Sequence, residues 1–257
     1  MSFDDNNPFR VPEARVADPG YALSGNFVLE GRKVEAGNGW QWIVQAWELF
    51  KQSPGVWIGM CLLYMVMVVF LSILPIISVA VSLFMPVLIG GIMIGCKTVD
   101  EGGDLEIGHL FAGFSNQLGN LVLVGLFYLV GVFAIAIVIG ILSVAMIAIG
   151  SIQNQPELMF GIIAIMVLIG VALVIPLVMA IWYAPPLVVF HAVPPFDAMK
   201  ASIMISFKNI VPFLVYGLAF LGLAIVASLP CFLGWLVLCP IMFCSIYTSY
   251  RDMFIQE

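Results

Sequence analysis

Apolar stretches long enough to cross a membrane alternate with short polar stretches along most of the chain. An α-helix rises 1.5 Å per residue, so about 20 apolar residues cross the roughly 30 Å hydrocarbon core of a bilayer. The apolar stretch at residues 57–96 is about twice that long, which predicts two crossings. The predicted transmembrane helices cover residues 57–74, 77–97, 119–150, 159–184, 211–228 and 231–250.

Two prolines and one polar turn divide these six helices into three hairpins. Leu74-Pro75 and Leu229-Pro230 interrupt the first and last apolar stretches, because proline lacks the amide donor that a helix interior needs. The polar residues 151–158 separate the two middle helices. The pattern therefore predicts an all-α integral membrane protein with six transmembrane helices arranged as three hairpins.

A short amphipathic segment that is too polar to cross the membrane precedes each hairpin. In residues 39–52, glutamines and Glu48 occupy one helical face, and Asn38 is the predicted N-cap. The opposite, apolar face is formed by Trp40, Ile43, Trp47 and Phe50. Residues 105–117 and 195–209 form the second and third segments. Aromatic rings favour the headgroup level, so these segments are predicted to lie there. The predicted anchors are Trp40, Trp42, Trp47, Phe50, Phe111, Phe114 and Phe207.

The hairpins resemble copies of one unit, which indicates an internal pseudo-threefold repeat. Pro86 and Pro240 lie midway along the return helices of the first and third hairpins. A cation, Lys97 or Arg251, follows each of these prolines eleven residues later. The predicted units are residues 38–104, 105–194 and 195–257, which together form one membrane domain.

Small residues and prolines inside the predicted helices indicate close packing and bending. Gly91 and Gly95 form a G-x-x-x-G pair, which lets helices approach closely, within the chain by default or between two copies as the alternative. The two repeat prolines are either packing kinks or hinges between hairpins. In the middle unit, either Pro176 or the pair Pro185 and Pro186 is the equivalent proline, and the pattern leaves this open.

Composition agrees with the membrane class and excludes several others. Of the 257 residues, 63% are hydrophobic and 9% charged, far from the values of about 45–50% and 25% in soluble domains. A net charge of −6 offers no basic patch for nucleic acid. Residues 1–37 are polar and are predicted to form a flexible tail.

The cations define the expected orientation. All nine Lys and Arg residues fall on one side of the predicted topology, and the three opposite turns contain none. Cytoplasmic loops of membrane proteins are enriched in these residues. Both chain ends and all three amphipathic segments are therefore predicted to be cytoplasmic, in a bacterial inner membrane.

The polar residues do not form a catalytic, cofactor-binding or metal-binding pattern. The interiors of the predicted spans lack ionisable residues, which argues against ion-coupled transport. His109 and His191 have no second metal ligand nearby in the sequence. The acidic loop that contains Asp100 and Glu106 is a solvated face or, as an alternative, a site for a cation or a basic partner. The predicted free thiols are Cys61, Cys96, Cys231, Cys239 and Cys244.

Several segments carry a resemblance to known proteins: GWQWIVQAWELF, SPGVWI, HLFAGF, VPPFDAMKASI and YTSYRDMF. From about residue 38 onwards, the chain resembles a family of uncharacterised proteobacterial six-helix inner-membrane proteins. It is more distantly similar to the membrane domain of glycerophosphodiester phosphodiesterases. The resemblance implies a fold and an inner-membrane location, but no catalytic residue, and the hydrolase domain of the phosphodiesterases is lacking.

These observations favour a non-enzymatic envelope-maintenance or scaffold protein that engages membrane lipids through its amphipathic segments. The alternative is a transporter or channel for an apolar or lipid-like solute without ion coupling. An intramembrane enzyme would need a polar constellation, for which tyrosines such as Tyr64, Tyr128, Tyr183 and Tyr216 are the candidates. A protein partner is not indicated, and a homo-oligomer stays open.

Overall fold

The structure, a computed structural model, describes residues 26–73, 75–153 and 156–256, which form helices, two short paired strands and the turns and loops between them. Three of the helices, Pro75–Asp100, Pro156–Trp182 and Trp235–Phe254, each contain an interior proline. The elements are β1 (Asn26–Phe27), α1 (Asn38–Gln52), α2 (Pro54–Ser72), α3 (Pro75–Asp100), a 3₁₀ helix (Ile107–Phe111), α4 (Ala112–Ser115), α5 (Leu118–Gln153), α6 (Pro156–Trp182), α7 (Ala184–His191), α8 (Pro195–Lys208), α9 (Ile210–Ser228), α10 (Trp235–Phe254) and β2 (Ile255–Gln256).

Within the described ranges, five helical stretches are long and apolar enough to cross a membrane. The sixth predicted span corresponds to α10, which differs from the others. Its C-terminal half carries the buried polar residues Ser245, Thr248 and Ser249, and most of the helix is covered by protein. The five stretches are Pro54–Ser72, Val81–Asp100, Leu118–Ala145, Phe160–His191 and Ile210–Ser228.

Helix ends follow the predicted breaks in the first hairpin but shift in the third. Helix α2 ends at Ser72 and α3 begins at Pro75, where a missing amide donor removes no helical hydrogen bond. The last helix begins at Trp235 instead of the predicted residue 231. Cys231 and Phe232 adopt positive φ angles of 50° and 63°, which are incompatible with a right-handed helix.

The middle hairpin also differs from its predicted boundaries. Helix α5 continues to Gln153 and α6 begins at Pro156, so most of the predicted turn at 151–158 is helical. At the other end, the helix breaks at Tyr183 and resumes as α7. Pro185 and Pro186 cause this break, because neither can donate to a preceding carbonyl.

Two details of the predicted amphipathic segments are wrong. Helix α1 is capped by Gly37, and Asn38 uses its side chain to bind Asp252 instead of the helix end. The second segment is not one α-helix, because a 3₁₀ helix precedes the single turn of α4. Glu106 and His109 form a capping box at the start of that 3₁₀ helix, in which the side chain of each bonds the backbone of the other.

The predicted tail of 37 residues is too long, since residues 26–37 are packed on the bundle. Asn26 and Phe27 pair with β2 in antiparallel register. Residues 28–36 continue along the end of the bundle, where Asn209 accepts a hydrogen bond from the Val34 amide and donates one to the Arg32 carbonyl. The rest of the predicted tail lies outside the described residues. We refer to residues 26–36 as the strap.

Each amphipathic element packs on the hairpin that precedes it, and the first packs on the last. Helix α1 contacts α9 and α10, the 3₁₀ helix and α4 contact α3, and α8 contacts α5 and α6. Gly39 approaches Pro212 of α9, and Gly113 approaches Val87 of α3, too closely for a side chain at either glycine. The return helices α3, α7 and α10 meet in the core.

Candidate functional site

Three apolar grooves lie on the hairpins, each bordered by an amphipathic element of another unit. The groove on hairpin three, which we call groove 3, has a volume of about 430 Å³. Trp40, Val44 and Trp47 of α1 line one side of it. Leu223 of α9 and Leu238 of α10 are among the aliphatic residues of the other side.

The groove on hairpin two, groove 2, is larger, with a volume of about 680 Å³. Helices α5 and α6 form its walls, which include Val130 and Leu173. Phe196, Met204 and Lys200 of α8 line the remaining side. Lys200 contributes the positive charge to a lining that is otherwise apolar.

The groove on hairpin one, groove 1, has a volume of about 200 Å³. Its walls come from α2 and α3, and they include Met67 and Leu88. Phe114 of α4 lines it as well, and its ring stacks on Phe84 with a centroid distance of 5.9 Å. The three grooves thus occupy corresponding places on the three hairpins.

The predicted aromatic anchors separate into two groups. Trp40 and Trp47 are 48% and 42% exposed, whereas Trp42 is 1% exposed and Phe50 is also buried. Trp42 and Phe50 are therefore core residues, and their prediction as headgroup anchors is wrong. The exposed anchors in the other elements are Phe111, Phe114 and Phe207.

Small residues permit the contacts between elements. A Cβ atom on Gly91 would lie 2.4 Å from the carbonyl oxygen of Leu110, and one on Gly95 would lie 3.0 Å from Leu105. Both glycines therefore face the segment that includes the 3₁₀ helix of the same chain. This leaves their surface covered, so the alternative of a contact between two copies through these glycines does not fit the structure.

The candidate hinge prolines, Pro86 and Pro240, lie inside α3 and α10. Pro176 lies inside α6 in the same way. Pro185 and Pro186 differ, because they stand in the first turn of α7. A hinge motion at the first two prolines stays a prediction.

A partly buried polar cluster joins the strap, α1 and α10. Asp252 accepts hydrogen bonds from the Trp42 indole and the Asn38 amide, both at 2.8 Å, and forms an ion pair with Arg32 at 2.7 Å. Thr248 donates to the backbone carbonyl of Trp42. The sequence pattern did not indicate this cluster, because its members are more than 200 residues apart in the chain.

The cations of the predicted repeat have different partners. Arg251 binds Asp100 of α3, which also accepts a hydrogen bond from the Tyr247 hydroxyl at 3.0 Å. Lys97 instead pairs at 2.7 Å with Glu101, which directly follows the end of the same helix. Part of the acidic loop is therefore engaged in ion pairs within the chain.

Three of the four candidate tyrosines form separate contacts in the interior, and Tyr128 is half-buried on α5 apart from them. Tyr183 donates to Ser249 at 2.9 Å, and Tyr216 shares a hydrogen bond with Ser245. Tyr64 contacts Met85 across the first hairpin. These contacts fasten helices together in the core.

The cysteines and histidines also occupy structural positions. All five cysteines are free, and Cys231 is the exposed one. Cys96 and Cys244 approach to 3.9 Å between α3 and α10. His191 stacks on Phe27 of the strap with a centroid distance of 3.6 Å. Of the described atoms, the Nε2 of His191 and the hydroxyl of the adjacent Tyr250 are buried without a hydrogen-bond partner.

Fold and grooves together are those of a multi-pass helical membrane protein whose amphipathic elements border apolar grooves. The chain is similar to a probable inner membrane protein of Burkholderia thailandensis. The two are 28% identical over 258 residues, which cover 88% of this chain and 94% of the relative.

No protein-family profile matches the chain, and no solved structure matches it. The similarity and the apolar helices support a multi-pass inner-membrane protein. The expected relation to the phosphodiesterase membrane domain stays a prediction.

Proposed function

We propose that this chain is a non-enzymatic envelope-maintenance or scaffold protein that holds phospholipid acyl chains in its three grooves. The observation that carries the proposal is the repeated placement of an apolar groove beside an amphipathic element on each hairpin. Binding of the same kind of ligand explains three corresponding grooves better than three independent packing defects do.

The chemistry of the grooves fits acyl chains. Their walls are aliphatic and aromatic, and the two larger volumes fall within the range of about 300–1,000 Å³ that is typical of ligand sites. Many wall residues, such as Val226 and Val130, are exposed and would face hydrocarbon in a bilayer. A hydrocarbon chain can fill such a groove without leaving a polar group unpaired.

The proposal includes six crossings, with α10 as the sixth. The pairing of β1 with β2 supports an even number, because it brings residues near both ends of the chain to one end of the bundle. The 20 residues of α10 extend about 30 Å, enough for one crossing. Its polar C-terminal half is shielded from lipid by neighbouring helices, as expected for polar groups at membrane depth.

Both chain ends are cytoplasmic in this proposal. The strap end of the bundle carries Arg32, Lys33 and Lys208, whereas the turn between α9 and α10 lacks Lys and Arg. A bias of this kind favours the cytoplasm for the positive side.

The proposed repeat is supported by the cyclic packing of the amphipathic elements. The positions of the helix ends also indicate which proline of the middle unit corresponds to Pro86 and Pro240. Pro86 and Pro240 lie fourteen residues before the ends of α3 and α10, and Pro176 lies fifteen residues before the end of α7. This spacing favours Pro176 over the prolines at the start of α7.

Passage of a solute through the centre of the bundle is less well supported. The return helices meet there through large side chains, among them Tyr183, Tyr247 and Tyr250, each less than 2% exposed. Grooves on the outside of the hairpins are better suited to retaining lipid than to conducting a solute.

Filling the grooves tests the proposal. Purified protein in mild detergent is mixed with phosphatidylethanolamine, and retained lipids are counted by native mass spectrometry. Val226→Trp in groove 3 and Ala134→Trp in groove 2 should each reduce the number of retained lipids. The control Ala172→Trp lies on an exposed part of α6 outside the lining of groove 2.

The control should retain as many lipids as the unmodified protein. If both groove-filling variants also retain that number while remaining helical by circular dichroism, the grooves do not hold lipid and the proposal is wrong.

A further inference from the structure

Groove 2 differs from the other two grooves in the charge of its lining. Lys200 of α8 lines it, whereas the residues that line grooves 1 and 3 are uncharged. Groove 2 is also the largest of the three by volume. A cation beside an apolar groove favours an anionic ligand, a preference that the size and the apolar lining of the groove do not provide.

The position of Lys200 places it among apolar side chains. Phe196, Lys200 and Met204 are spaced four residues apart on α8, so they lie on one face of the helix. Phe196 and Met204 are both more than half exposed, and Lys200 is exposed between them. A lysine in such a position extends its aliphatic stem along the apolar surface and directs its ammonium group towards the headgroups.

Three other lysines of the described residues have partners within the protein, whereas Lys33 lies in the strap, away from groove 2. Lys97 pairs with Glu101, Lys51 pairs with Glu48, and Lys208 donates to the carbonyl of Gly31. Within the described residues, Lys200 has no carboxylate within ion-pair distance, although Asp197 lies one turn earlier on the same helix. Its ammonium group is therefore available to a ligand.

We propose that groove 2 is a site for an anionic phospholipid, with an acyl chain between α5, α6 and α8 and the phosphate at the Nζ of Lys200. This inference rests on the proposed lipid-binding function and adds the class of lipid to it. An ammonium group donates to phosphate oxygens as a point charge. Basic sites beside membrane helices on the cytoplasmic side bind anionic headgroups in this manner.

Charge explains the preference for an anionic lipid over a zwitterionic one. Phosphatidylglycerol presents one uncompensated negative charge, whereas the amine of phosphatidylethanolamine offsets the charge of its own phosphate. A single Lys near a membrane surface changes the affinity for anionic lipid by roughly fivefold. The expected preference is of this order.

Competition between the two lipids tests the inference. The protein is incubated with an equimolar mixture of phosphatidylglycerol and phosphatidylethanolamine, and the ratio of bound lipids is measured by native mass spectrometry. The ratio at groove 2 is taken from the lipid that Ala134→Trp no longer retains, because grooves 1 and 3 also hold lipid. Lys200→Gln should lower this ratio of phosphatidylglycerol to phosphatidylethanolamine by about three- to tenfold. Lys200→Arg should preserve it, because the charge remains.

Two further variants separate this inference from the proposed function. Lys51→Gln removes an exposed lysine from α1 and should leave the ratio unchanged, whereas Ala134→Trp should reduce binding of both lipids. If Ala134→Trp removes lipid but Lys200→Gln preserves the ratio, the charge selectivity is wrong and the lipid groove remains. If Ala134→Trp retains all lipid, groove 2 binds no acyl chain and the inference also fails.

Discussion

Asp252 is the residue whose removal should most weaken the contact between α1 and α10. Asp252→Ala deletes the acceptor of three donors, which belong to Trp42, Asn38 and Arg32. Arg32 is 47% exposed and regains water, so its ion pair contributes at most about 1 kcal/mol. The indole N–H of Trp42 is buried and cannot bind water when Asp252 is removed. Leaving this donor unpaired lowers the free energy of unfolding by about 1–3 kcal/mol.

With about 1 kcal/mol for the partly buried Asn38 amide, the expected loss in the free energy of unfolding is about 2–5 kcal/mol. Titration with a denaturing detergent, followed by far-ultraviolet circular dichroism, measures it. Arg32→Ala is the matched comparison and should lose no more than about 1 kcal/mol.

A double-mutant cycle with Trp42→Phe isolates the indole hydrogen bond. Because the second variant removes the orphaned donor, the coupling free energy between the two positions should be about 1–2 kcal/mol. A coupling near zero, or an Asp252→Ala variant as stable as the unmodified protein, would show that this cluster does not hold α1 in place.

Further predictions concern packing, a buried hydroxyl and topology. Gly91→Ala should destabilise the protein by about 1–3 kcal/mol in the same titration, because its Cβ would overlap backbone oxygens, whereas Gly140→Ala meets open space and should not. Ser202→Ala should lose about 1–3 kcal/mol, since the amide of Tyr183 loses its buried acceptor, and an unchanged midpoint would contradict this. A membrane-impermeant maleimide should label Cys231 in intact spheroplasts, and labelling only after permeabilisation would reverse the proposed orientation.

The membrane class and most helix boundaries could be predicted because they depend on local properties. Hydrocarbon requires long uninterrupted apolar helices, and proline interrupts a helix wherever it removes an interior donor. Ser72 and Pro75 bound the first hairpin turn close to the predicted break. The start of α10 was missed because the positive φ angles after Pro230 extend the turn, and Cys and Phe give no sequence signal for them.

The burial of α1 could not be predicted from hydrophobic periodicity alone. The predicted apolar face includes Trp40 and Trp47, but the buried stripe follows Gly39, Trp42 and Ala46. Small residues determine this stripe, because they let α1 approach α9 closely, and hydrophobicity scales give them little weight. Trp42 lies on the same buried face, where its indole N–H donates a hydrogen bond to Asp252.

The grooves were also not apparent in the sequence, because each joins residues of different units. Trp40 and Leu238 line the same groove from opposite ends of the chain, and Phe196 meets the walls formed by α5 and α6. Sequence periodicity identifies the apolar face of each helix. It does not indicate where two neighbouring helices leave a groove between them. The aromatic anchors were the usable signal, since the exposed ones at Trp40, Trp47 and Phe114 line grooves.

The packing of the first amphipathic helix on the last hairpin has a consequence for biogenesis. Helices α1 and α10 are separated by nearly the full length of the chain, so α1 leaves the ribosome long before its binding surface exists. During that interval the face that contains Gly39 and Trp42 is uncovered. The bundle therefore closes only after α10 has been synthesised, and a nascent chain shortened within α10 keeps this face open to chaperones and proteases.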